Sequence, residues 1–135
     1  MTGLLVLAAT LVVAILLGLV WRARQGRVRL GGATSPLPVA VRAKVGGAGV
    51  TLLMLSTRAC ARCPQARALL GELASGNERV HHVELDLAEH PDLAAELAVR
   101  STPTTLALDG SGRELFRVVG VPRRAELLES LSAYR

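Results

Sequence analysis

The two cysteines of this 135-residue chain constrain its fold most, because they lie three positions apart where a strand-like apolar run gives way to the apolar spacing of a helix. The apolar run 50–55 precedes Cys60 and Cys63 and has the length of a buried strand. Residues 61–74 follow with the apolar spacing of a helix. A cysteine pair at a strand-to-helix turn is typical of dithiol chemistry. Two ordinary buried cysteines are the alternative, so the rest of the chain has to separate the two interpretations.

The N-terminal segment predicts a membrane anchor. Residues 3–20 carry no charge, and about twenty apolar residues cross a hydrocarbon core of ~30 Å as a helix. A cleaved signal peptide is the alternative, but it needs basic residues before the apolar run, and none is present. Four arginines follow within residues 22–29, so the positive-inside rule predicts that the C-terminal side is cytoplasmic. We therefore expect a single-pass protein of the cell membrane that contacts lipid through its N-terminal helix and has a cytoplasmic domain.

The distribution of charge argues against a nucleic-acid partner. The formal net charge is +5, yet residues 1–49 carry six basic and no acidic residues, whereas residues 50–135 carry ten arginines against eleven acidic residues. Nucleic-acid binding would need the basic residues on the folded domain, interleaved with aromatic side chains. Only Trp21, Phe116 and Tyr134 are aromatic. The basic cluster therefore indicates proximity to a membrane surface.

The remaining pattern predicts three regions. Residues 1–21 form the transmembrane anchor, and residues 22–49 form a basic juxtamembrane segment and Gly/Pro linker with a possible short strand at 39–41. Residues 50–135 form one domain in the order strand, helix, strand, helix, strand, strand, helix. This order predicts an α/β three-layer sandwich with a mixed sheet, in which the first two strands pair in parallel through a crossover helix.

Several motifs of residues 50–133 resemble the thioredoxin family in order and spacing. They are Cys60-Ala61-Arg62-Cys63, then 83–86, then Thr102-Pro103-Thr104 forty positions after Cys63, then Asp109-Gly110 and Gly120. With the anchor and the Arg- and Ala-rich composition, the chain resembles a membrane-anchored bacterial thioredoxin-like protein. The resemblance implies a thioredoxin-like fold with a reduced N-terminal strand and helix. It also implies a cis peptide bond between Thr102 and Pro103 that faces the cysteines, and a substrate-binding role for these two residues.

The chain departs from the family around the pair itself. Ala59 replaces the usual Trp, Ala61 and Arg62 replace Gly-Pro, and Met54 stands where thioredoxins keep a buried Asp. These departures make recycling by thioredoxin reductase an unsafe assumption, but they leave the dithiol intact.

The chemistry expected at the pair follows from its position. If the helix starts at Cys60, its free backbone N–H groups and dipole favour the thiolate, so Cys60 would attack and Cys63 resolve. Arg58 and Arg62 add positive charge that tunes the pKa of Cys60. We therefore expect Cys60 to titrate below a free cysteine and the pair to be more oxidising than thioredoxin. Pro64 could delay the helix and weaken the dipole effect.

The leading hypothesis is a membrane-tethered thiol–disulfide oxidoreductase that exchanges disulfides with a protein partner, without a cofactor and with an unassigned reductant. A thioredoxin-fold binding or scaffold module with an idle or regulatory cysteine pair is the alternative, and an extracytoplasmic thiol reductant is a third. A metal site is not expected, because a zinc half-site at the pair would need two more ligands and His81 and His82 alternate across a strand. Glu84 and Asp86 are interpreted as a solvated face.

Overall fold

A long apolar helix precedes a five-stranded sheet with helices on both faces in the computed structural model, which describes residues 1–31 and 36–134. The helices are α1 (Thr2–Arg24), α2 (Val39–Arg42), α3 (Cys63–Ser75), α4 (Asp92–Glu96) and α5 (Arg124–Ser132). The strands are β1 (Val28–Leu30), β2 (Val50–Ser56), β3 (Val80–Asp86), β4 (Thr104–Leu108) and β5 (Glu114–Val119).

The sheet is mixed, with the strand order β1-β5-β4-β2-β3. β2 and β3 pair in parallel, and the three other neighbouring pairs are antiparallel. A parallel pair needs a crossover connection, and α3 supplies it. The predicted α/β three-layer sandwich with one preceding apolar helix is therefore confirmed.

Strand β2 lies inside the sheet and is covered on both faces, which explains its continuous apolar run. Leu52 and Met54 belong to the core cluster that contains side chains of α3 and α5. Leu53 and Leu55 point the other way and belong to the cluster that contains side chains of α2 and α4. Phe116 is the one fully buried aromatic side chain among the described residues, so the core is mainly aliphatic.

The segment 22–49 is more than a linker. β1 pairs with β5 and forms one edge of the sheet, and residues 39–41, expected as a strand, belong to the short helix α2. Pro38 precedes α2 with its φ fixed at −52°, which suits the start of a helix, and Val41 packs into the second core cluster. The part of the predicted linker at residues 32–35, like Arg135 at the end of the predicted domain, lies outside the described residues.

Helix α1 is exposed along its whole length and buries no side chain. Among the described residues it is the one helix long and apolar enough to cross a membrane, properties that a signal sequence near the N-terminus shares. Its end is attached to the domain by hydrogen bonds. The N–H of Gly26 donates to the carbonyl of Val119 at 2.7 Å, and Nη2 of Arg123 donates to the carbonyl of Ala23 at 3.3 Å.

Candidate functional site

The cysteine pair lies at the connection from β2 to α3, as the sequence predicts, with Cys60 in the turn and Cys63 as the first residue of α3. Cys60 and Cys63 form a disulfide with a Cα–Cα distance of 5.5 Å, which is typical of such bonds. Cys60 is half-buried, whereas Cys63 is 2 % exposed and belongs to the core cluster that contains Met54. The pair therefore consists of one partly exposed cysteine and one buried cysteine.

The helix does not begin at Cys60, which corrects the expectation from sequence. α3 starts at Cys63 with Arg62 as its N-cap, and Pro64 occupies the first turn. Proline lacks an N–H and is well tolerated in the first turn of a helix, where that N–H would have no partner, so Pro64 is compatible with a helix that begins at Cys63. The backbone of Cys60 lies in the preceding turn, where its N–H donates to the carbonyl of Thr57 at 3.2 Å. Its sulfur is nevertheless bonded to that of Cys63 and therefore lies at the N-terminal end of α3.

The two predicted tuning arginines lie on the rim of the site and have different surroundings. The side chain of Arg58 is 88 % exposed, with Nε 3.9 Å from Oδ2 of Asp86. Nη1 of Arg62 donates to Oε1 of Gln25, the residue that caps the C-terminus of α1. Arg62 therefore links the cysteine pair to the end of the apolar helix, a contact that sequence patterns alone could not indicate.

The Thr102–Pro103 segment lies beside the cysteine-bearing loop. The peptide bond between these residues is cis, Pro103 is buried, and the Thr102 hydroxyl lies 3.5 Å from that of Thr57. The carbonyl of Pro103 accepts a hydrogen bond of 2.8 Å from Gly120. Within residues 1–31 and 36–134, the backbone N–H and C=O of Thr102 have no hydrogen-bond partner.

Glu84, which the strand pattern placed on a solvated face, lies on the α3 face of the sheet. Glu84 stands in register with Met54 and accepts hydrogen bonds from Ser56 Oγ at 2.7 Å and from Arg67 Nε and Nη2 at 2.6 Å each. The hydrogen bond from Arg67 lowers the pKa of Glu84 below its usual value. Glu84 lies on the edge strand β3 and keeps 27 % of its side chain exposed, so it is partly solvated, and its ion pair with Arg67 of α3 adds a contact that the strand pattern did not indicate.

Two buried side-chain polar atoms in the described residues lack a hydrogen-bond partner, and both belong to strands next to β2. They are Nε2 of His82 and Oγ1 of Thr105. Burial lowers the pKa of His82, so the ring is disfavoured in its charged form. In the part of the chain that the structure describes, no group of three or more His, Cys, Asp or Glu side chains could hold a metal ion.

Comparison with known proteins gives a structural likeness. No protein-family model and no curated protein sequence matches the chain. Fasciola hepatica thioredoxin is 19 % identical with a TM-score of 0.59, and the match covers 71 % of this chain and 89 % of that chain. Oxidised mitochondrial thioredoxin 3 from Saccharomyces cerevisiae is 20 % identical with a TM-score of 0.59, covering 70 % of this chain and 87 % of that one.

A third similar structure comes from work on thiol resolution in yeast mitochondrial 1-Cys peroxiredoxin via the glutathione/thioredoxin systems. It is 18 % identical with a TM-score of 0.60, and the match covers 72 % of this chain and 90 % of that chain. All three likenesses extend over at least 70 % of the residues of this chain, with TM-scores of 0.59 to 0.60. The chain has the thioredoxin fold.

Proposed function

We propose that the chain is a thiol–disulfide oxidoreductase that exchanges disulfides with a protein partner through Cys60 and Cys63. The observation that carries the proposal is the unequal exposure of the two sulfur-bearing residues at the start of α3, with Cys60 half-buried and Cys63 2 % exposed. Exchange requires an accessible attacking thiolate and a nearby second thiol that is protected from other partners. The pair has this arrangement.

The reducing direction of the exchange has two steps. The Cys60 thiolate attacks one sulfur of the partner's disulfide, so the partner's S–S bond breaks, one partner thiolate leaves and a mixed disulfide forms. Cys63 then loses its proton and attacks Sγ of Cys60, which releases the second partner thiolate. The partner gains two electrons and the pair becomes the disulfide. Because Met54 offers no carboxylate beneath Cys63, the proton of Cys63 passes to water.

Neighbouring residues assist this exchange. Arg58 and Arg62 favour the thiolate of Cys60 by their charge, and the N-terminal end of α3 adds its dipole where the sulfur lies. The unpaired backbone groups of Thr102, next to Pro103, bind an extended segment of the partner, which tolerates many partner sequences because main-chain groups make the contacts.

We further propose that α1 is a retained anchor in a cell membrane and that the domain is cytoplasmic. The arginines of residues 22–29 support this orientation. The proposed regions are the anchor at 1–21, the basic segment at 22–49, which contributes β1, and the domain at 50–135. A C-terminal fusion of a reporter that is active only in the cytoplasm tests the orientation, and an inactive fusion would indicate an extracytoplasmic reductant.

Insulin reduction by dithiothreitol, followed by turbidity with the full chain in detergent, tests the activity. The wild-type chain should accelerate precipitation, and Cys60→Ser should abolish the acceleration. Cys63→Ser is the informative comparison, because it retains the attacking thiolate and should accumulate a mixed disulfide that is visible on a non-reducing gel. A wild-type chain without activity and without mixed disulfides would instead indicate a binding or scaffold module.

A further inference from the structure

A polar groove separates the end of α1 from the cysteine-bearing end of the domain. The groove has a volume of about 640 Å³. Gly18, Trp21 and Arg22 of α1 line one side, and Arg62 and Arg123 of the domain line the other. The groove is therefore formed jointly by the proposed anchor and by the domain, including Arg62, one of the two residues between the cysteines.

The charge of the groove favours an anion. Three arginines line it, and no carboxylate lies among its lining residues in the described chain. Arg123 is partly balanced from outside, because its Nη1 lies 3.2 Å from Oε1 of Glu126. Arg22 and Arg62 form no ion pair within residues 1–31 and 36–134. Guanidinium groups bind phosphate oxygens in a forked geometry, so a phosphate is the anion that this lining fits.

The position of the groove identifies the source of the phosphate. Gly18 and Trp21 belong to the apolar helix, and Trp at the end of a membrane span lies at the level of the lipid headgroups. The domain is held to this end of α1 by the hydrogen bonds of Gly26 and Arg123, so the groove remains at that level. A lipid headgroup therefore reaches the groove laterally from the bilayer.

We propose that this groove binds the phosphate of an anionic phospholipid headgroup, and that the bound lipid tunes the redox equilibrium of Cys60 and Cys63 through Arg62. The first part rests on the proposed membrane anchor, and the second part rests on the proposed dithiol exchange. A phosphate paired with Arg62 withdraws positive charge from the Cys60 thiolate, so the reduced pair is less stabilised and the disulfide becomes the weaker oxidant. One charge acting across the wet surface of a protein changes such an equilibrium about fivefold.

Lipid retention tests the site independently of redox activity. The full chain, extracted from nanodiscs of equimolar phosphatidylcholine and phosphatidylglycerol, is examined by native mass spectrometry. The wild-type chain should retain phosphatidylglycerol in preference to phosphatidylcholine, and Arg22→Gln should lose this preference. Arg29→Gln is the matched control, because it removes the same charge from exposed β1 outside the groove. Equal loss in both variants, or no preference in the wild type, overturns the site.

Redox equilibrium with glutathione tests the coupling. At a fixed ratio of reduced to oxidised glutathione, changing from phosphatidylcholine nanodiscs to the equimolar mixture should shift the equilibrium about fivefold towards the Cys60–Cys63 disulfide. Arg22→Gln should lose the shift and Arg29→Gln should retain it. An identical shift in both variants, or the same shift on adding inorganic phosphate to phosphatidylcholine nanodiscs, contradicts a lipid site. A pair that exchanges with glutathione in neither membrane refutes the proposed function, while the lipid-retention result still decides the site.

Discussion

Thr105→Val should stabilise the protein, although it removes a polar group from the strand next to β2. Thr105 is fully buried, stands in register with Met54, and its Oγ1 has no partner among the described residues. Burying an unpaired hydroxyl costs about 1–3 kcal/mol, and valine fills the same space without that group. We expect the free energy of unfolding to rise by about 1 kcal/mol, which corresponds to an increase of about 4 °C in Tm.

The adjacent threonine is the matched control. Thr104 is 1 % exposed, points to the opposite face, and its Oγ1 donates to the carbonyl of Ser101 at 2.6 Å. Thr104→Val leaves that carbonyl without its partner and should therefore cost about 1–2 kcal/mol. Urea unfolding of the oxidised full chain in detergent measures both changes. Destabilisation of similar size in the two variants would refute the reasoning, because it would show that the Thr105 hydroxyl is paired.

Two further predictions concern two glycines of the domain and the loss of stability at acidic pH. Gly71→Ala, in the middle of α3 with open space around the new Cβ, should stabilise the protein by about 0.5–1 kcal/mol. Gly49→Ala should destabilise it by more than about 1 kcal/mol, because φ is +133° and the Cβ would clash with the carbonyl of Arg79. Urea unfolding of the two variants measures the opposite signs. The lowered pKa of Glu84 contributes stability above pH ~4.5 that is lost as the pH falls through the folded-state pKa. Glu84→Gln should therefore be less stable than the wild type at pH 7, and its Tm should fall less as the pH is lowered. An equal fall of Tm in the two proteins would show that the bond to Arg67 is weak in solution.

The fold could be predicted from local patterns because they agree with the tertiary arrangement. The β4 and β5 bounds follow from β-branched and apolar runs on either side of a Gly-containing turn, and the cysteine pair follows from its strand and helix neighbours. The start of α3 could not be fixed in the same way, because Pro64 permits more than one first turn and only the structure selects it.

The features that the sequence did not predict arise from tertiary contacts. β1 has three residues and owes its existence to pairing with β5, which no periodicity of so short a segment reveals. The position of Glu84 depends on α3 crossing over β3, and the contact of Arg62 with Gln25 joins residues 37 positions apart. Such contacts depend on how elements pack, so a single sequence carries little signal for them.

The reduction potential of the Cys60–Cys63 pair tests the central claim most directly. It is measured by equilibrating the full chain in phosphatidylcholine nanodiscs with glutathione buffers and trapping the thiols by alkylation. The proposed stabilisation of the reduced pair by the charge of Arg62 and the N-terminal end of α3 predicts a potential above the value of about −270 mV known for thioredoxin. A potential below about −270 mV, or a disulfide that does not exchange with glutathione, would contradict an oxidising exchange centre at Cys60.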